Sequence, residues 1–169
     1  TMDFRRLLLA TAITTAITAL LGVITATAGA GLTCEARWPL CDGAVFGLFP
    51  ANFMSFIEWF HRLVAMITGV LIIGSTVAVW RGSGSRRVRF ATLAAMLLTP
   101  LQIVFVAFTV IVNEFVFGHS VLVSTLHFGL AALIPALLVA ATVSTYSETS
   151  SVTPAGIHRA TTLALLAFL

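Results

Sequence analysis

The stretch Ser55 to Met66, SFIEWFHRLVAM, opens an apolar run that continues to Trp80, long enough to cross a bilayer. Its first turns nevertheless carry Glu58, His61 and Arg62 within five positions. Ionisable groups inside a membrane are costly, so they are usually paired, turned to the bundle interior and functional. Spacings of three and four residues put all three on one side of a helix. His61 offers an imidazole suited to iron, and Glu58 offers a base or a hydrogen-bond acceptor.

The rest of the chain is of the same kind. Only 9% of residues are charged, 59% are hydrophobic and the mean hydropathy is +1.08, which excludes a soluble domain and fits a polytopic membrane protein. The expected fold is all-α, a four-helix transmembrane bundle over residues 1–156, with spans at about 7–28, 55–80, 90–112 and 120–143. Thr14, Thr18, Gly22, Thr25 and Gly29 recur at three or four residues along the first span, a small, weakly polar stripe for close helix packing. Residues 30–54 hold Gly, Pro, Trp and both cysteines and read as a loop whose aromatic residues can sit at the membrane interface. Pro100, Gln102 and Thr109 lie in the third span: a proline expected to bend it, and two polar groups that line a cavity or bond between helices. Ser144 to Gly156 is polar and reads as a loop, and residues 157–169 read as the start of a fifth helix cut short. The chain is accordingly expected to be the amino-terminal part of a longer protein, with a short self-pairing form as the alternative.

All nine basic residues are arginines. With the amino terminus inside, Arg5, Arg6, Arg81, Arg86, Arg87, Arg89 and Arg159 fall on the inner side and only Arg37 on the outer. That bias sets a cytoplasmic amino terminus and an extracytoplasmic cysteine loop. It also makes the arginines anchors for anionic membrane lipid, so no nucleic-acid partner is expected. Cys34 and Cys41 can bridge on the outer side, where a disulfide persists, and closing their loop would stabilise by about 2.5 kcal/mol. A structural staple is the preferred reading of the pair; a redox role needs reactive thiols, and the spacing is not CxxC.

His61 and His127 supply the main chemical clue. Counted from the outer ends of the expected helices, they lie about 9 Å and about 10 Å deep. Two imidazoles at matched depth on different helices can be the axial ligands of one heme iron, whereas separate histidines would each bond to a local carbonyl; the match favours ligation. Glu58 is open between an ion pair with Arg62 and a role toward substrate or protons, Arg62 then meeting a heme propionate. His119, about 12 Å above His127, reads as interfacial, and His158 lies on the inner side beside Arg159.

Four pieces in order, GLTCEARWPLCDG, IEWFHRLVA, PLQIVFVAFTV and STLHFGLAA, resemble heme A synthase. The resemblance spans all four complete helices. It implies a membrane heme-dependent oxidoreductase that converts heme O to heme A for terminal oxidases by oxidising a ring methyl to a formyl group. It implies heme held by His61 and His127, with Arg62 beside it, an essential Glu58 as catalytic residue, and an external Cys34–Cys41 disulfide. The partners it implies are heme O as substrate, an electron donor, and heme O synthase or oxidase assembly proteins. Helix three departs from the pattern in lacking a glycine after Gln102. Family members also carry a second histidine pair for heme b in a carboxy-terminal half, of which these residues show no copy. Against this stands a b-type cytochrome, which would carry electrons on the same histidine pair without altering the heme.

Overall fold

The structure, a computed structural model, describes residues 3–34, 37–115 and 121–147, without the side chains of 108–115 and 121. Its described elements are four helices: α1 (Phe4–Thr27), α2 (Phe53–Arg81), α3 (Arg86–Phe115) and α4 (Val121–Ser147). Each is long and apolar enough to cross a membrane. The chain is an all-α integral membrane protein.

The helices overrun the apolar spans, for local reasons. α1 starts at Phe4 because the Asp3 carboxylate accepts from the Arg5 N–H at 3.2 Å. α2 starts at Phe53, two residues before the expected Ser55, because Asn52 Oδ1 accepts from Met54 N at 2.8 Å. α3 takes in Arg86, Arg87 and Arg89 ahead of the expected Phe90. Hydropathy marks only the segment inside the hydrocarbon, whereas a helix continues into the interface where arginine is solvated. α4 runs on through Ser144 to Ser147, a segment expected to be loop. Its hydroxyls bond back within the helix, Thr145 to the Ala141 carbonyl and Ser147 to that of Val143, both at 2.8 Å. Pro100 and Pro135 both sit inside helices. The expected fifth helix at 157–169 lies outside the described residues.

Neighbours in the ring are α1–α2, α2–α3, α3–α4 and α4–α1. Among the described residues α2 and α4 make no backbone approach to each other, and neither do α1 and α3. The bundle is therefore a four-cornered ring, with α2 and α4 on one diagonal.

Two apolar clusters hold it. The inner one joins Leu8 and Ala12 of α1, Ile72 and Val79 of α2, Val88 and Ala95 of α3, and Ile134, Leu138 and Ala141 of α4. The outer one joins Cys34, Cys41, Ala44 and Trp59, with Trp38, Phe56 and Leu63 packed against it. Between helices, hydroxyls replace what a water-driven core would supply. Thr11 meets Ser75 at 2.6 Å, and Thr18 meets Thr68 at 2.8 Å. Thr11 and Thr18 also donate to the carbonyls of Leu7 and Thr14, so Ser75 and Thr68 are the donors across the interface. Of the expected stripe, Thr18 and Gly22 face α2; Thr11, which the stripe omitted, does so as well.

Candidate functional site

The site is assembled from the first turns of α2, the loop above them, and the outer halves of α1, α3 and α4. The loop comes first, because it fixes Glu58. Cys34 and Cys41 form a disulfide with a Cα–Cα distance of 4.9 Å, and both residues are fully buried. The bridge lies against the Ser55 carbonyl of α2, 3.6 and 3.8 Å from the two sulfurs. Trp59 Nε1 donates to the Pro39 carbonyl at 3.2 Å, and Trp38, Phe49 and Phe56 gather round the Trp59 ring. The loop is a cap seated on α2.

Glu58 locks that cap. It is 2% exposed. Its Oε2 accepts from the Cys34 backbone N–H at 2.7 Å and from the Thr33 hydroxyl at 2.9 Å, while Oε1 pairs with Arg62 Nη2. Sequence spacing left Glu58 open between an ion pair and a free carboxylate; in the structure the ion pair is made, and the other oxygen is taken by the loop. A buried carboxylate is tolerable only with this degree of satisfaction.

The histidines converge from the two diagonal helices. His61 is the ninth residue of α2 and His127 the seventh of α4, so they lie about 12 Å and about 9 Å from their helix starts. Their rings are close enough to interact electrostatically. The His61 ring rests on Gly22 of α1: a Cβ built there would stand 3.2 Å from Cε1 and 3.5 Å from Nε2. His127 has Gln102 Nε2 of α3 at 3.4 Å from its own Nε2, and the Phe128 ring edge-on at 5.6 Å. Three polar atoms at this level are buried without a partner among the described residues: His61 Nδ1, His127 Nδ1 and Gln102 Oε1. No group of three or more His, Cys, Asp or Glu assembles among the described residues.

Two neighbours of the pair were not singled out as site residues by sequence. Gly22 appeared only within a packing stripe, and nothing in the chain said which turn of α2 would land on it. Gln102 was recognised as cavity or glue; the structure puts it against His127. Thr109's side chain, His119 and His158 lie outside the described residues.

The sequence profile of the COX15-CtaA family, described as cytochrome oxidase assembly protein, matches residues 5–169. The chain belongs to this family. Heme A synthases of Bacillus licheniformis and Bacillus pumilus are each 33% identical to it, over 113 and 141 residues, or 66% and 79% of this chain and 35% and 43% of theirs. A protoheme IX farnesyltransferase of Halobacterium salinarum is 39% identical over 89 residues, 53% of this chain and 20% of that protein. The chain thus spans less than half the length of these relatives. No solved structure matches it.

Two outcomes follow from the packing seen here in this family member. Gly69 has nothing within 4 Å of an added methyl, so Gly69→Ala should hold or gain up to about 1 kcal/mol from helix propensity. Gly22→Ala should forfeit that gain and Gly22→Leu should cost about 1–3 kcal/mol by overpacking the His61 ring. Thermal unfolding in micelles measures all three, and equal midpoints would contradict the glycine–imidazole contact. Reduction of the fully buried disulfide requires the cap to open. Loss of the carboxylate in Glu58→Ala should speed reduction by a small thiol about ten- to hundred-fold, the equivalent of one hydrogen bond to a charged group; an unchanged rate would contradict the clamp.

Proposed function

We propose that this chain acts as a heme A synthase, oxidising a ring methyl of heme O to a formyl group through a hydroxylated intermediate. Membership of the cytochrome oxidase assembly family and the heme A synthase relatives support the reaction. One observation carries the site: His61 and His127 stand on diagonal helices of the ring, each with a buried ring nitrogen that has no partner among the described residues.

The residues fit a heme. A neutral imidazole is a standard axial ligand, and rotating a ring by 180° exchanges which nitrogen faces inward. His61 and His127 would hold the iron, and Arg62, with five N–H donors, can keep Glu58 and still take a propionate. A heme iron held there would supply the redox chemistry of the methyl oxidation. The chain's own work is to hold and orient. Gly22 sets the height of the His61 ring, and Gln102 borders His127 with an amide oxygen left for a donor. The catalytic role expected of Glu58 is proposed in a particular form: with both oxygens taken, Glu58 bears on the reaction through Arg62 and the cap it holds.

The arginine bias supports an amino terminus on the cytoplasmic side and a cysteine cap on the extracytoplasmic side. A protein named for farnesyl transfer to protoheme IX contains a stretch like this chain. That supports heme O as the substrate and a heme O synthase as the partner that hands it over.

Heme extraction with mass analysis, from membranes of a heme O-producing host, tests the reading. The parent chain should yield heme A or its hydroxylated precursor, and His61→Ala and His127→Ala should each lose the bound heme. Glu58→Gln keeps a neutral acceptor for Cys34 and should retain part of the product that Glu58→Ala loses. Heme retained by both histidine variants would overturn the site. Bound but chemically unchanged heme in the parent would favour the electron-carrying cytochrome.

A further inference from the structure

The cap carries an apolar tip that its own fold does not bury. Phe46 is 92% exposed, Leu48 and Phe53 are each 72% exposed, and Phe49 is 60% exposed. Scattered apolar side chains on a surface need no explanation; four large ones on eight consecutive positions do. No charged residue occurs from Gly43 to Ile57.

Part of the backbone of the tip is satisfied from within. Gly47 N bonds to the Gly43 carbonyl at 3.0 Å, Phe49 N to that of Gly47 at 2.9 Å, Ala44 N to that of Cys41 at 2.8 Å and Ala51 N to that of Asp42 at 3.0 Å. Val45 and Leu48 face each other in an isolated bridge. Both adopt left-handed backbone, at φ 78° and 69°, where side chains are strained. Asp42, the nearest charge, is turned back to cap the base of the tip at Asn52 N, 2.9 Å away. A loop with several of its amides paired and its nearest charge tied at its root leaves water at a lower cost, and the interface, unlike the hydrocarbon, still offers partners for the rest.

The tip also continues the side of α2 that faces away from the bundle. Phe49 packs edge-on against Phe56 at 6.0 Å, and Phe56 stacks on Phe60 at 5.8 Å. Phe53 and Phe60, on α2, are themselves exposed large apolar side chains, in line with Ile67 and Val70 further down the helix. In a spanning helix those positions meet lipid.

We infer that residues 45–49, with Phe53, insert into the membrane interface of the leaflet on the cap's side, as a monotopic anchor beside α2. The occupant is phospholipid at the boundary between headgroups and acyl chains, the depth at which apolar faces of interfacial segments sit. The anchor ties the cap to the bilayer as well as to Glu58, and so holds it down over the histidine pair from its outer edge. The inference depends on the helices spanning the membrane and is independent of the heme reading.

Photo-crosslinking in intact membranes tests it. A benzoylphenylalanine probe in place of Phe46 keeps the aromatic side chain, and the same probe at Val70, 66% exposed in mid-α2, is the lipid-facing reference. The expected result is a mass increase of one phospholipid at position 46, in a yield comparable to that at Val70. A cross-link from position 46 to another protein or to a second copy of this chain would overturn the proposal. So would an unreacted probe at 46 while the Val70 probe labels lipid.

Discussion

A single buried carboxylate organises the outer half of this protein. Glu58 accepts from Thr33, from the backbone of Cys34 and from Arg62. Remove it in thought and three things lose their reason: the seating of the cap, the disulfide's place against the Ser55 carbonyl, and the burial of an arginine among apolar helices. In hydrocarbon an acid must be satisfied to be kept. Glu58 is satisfied by joining two segments that hydropathy alone would keep apart, a spanning helix and the loop before it.

The same economy shapes the bundle. The inner cluster of Leu8, Ile72, Val79, Val88, Leu138 and their neighbours packs four helices against one another, and the outer cluster packs the cap onto α2. Between them lies a level at which packing is arranged around two rings. Gly22 gives up its side chain to His61, and Gln102 and Phe128 border His127. Because α2 and α4 stand on a diagonal, with α1 and α3 spacing them, their histidines approach across the bundle and keep unpartnered nitrogens. Adjacent helices would bring the backbones too close for anything but direct contact.

Much of this was legible in the residues. Four apolar runs gave four helices, and His61 and His127 stood out as imidazoles at similar depth. The Glu58–Arg62 spacing raised an ion pair that the structure makes, and the cysteine spacing raised a staple that it forms. What stayed hidden has physical causes. Helix ends were missed by up to four residues because Asp3 and Asn52 cap, and arginine at the interface does not end a helix. The loop's hold on Glu58 depends on where Cys34 N falls after a turn, which no periodicity reports. Gly22 looks like any small packing residue until the helix register sets an imidazole on it. The loop's interfacial aromatics were legible, but which of them the fold leaves exposed, Phe46, Leu48 and Phe49 among them, depends on an irregular backbone that no pattern reports.

As proposed, His61 and His127 would together hold one heme iron. Electron paramagnetic resonance of the purified ferric heme-loaded chain tests this most directly. The expected spectrum is low-spin and bis-imidazole, and it turns high-spin, or disappears with the heme, in both His61→Ala and His127→Ala. A parent spectrum that is high-spin, or one that survives loss of either histidine unchanged, would contradict it.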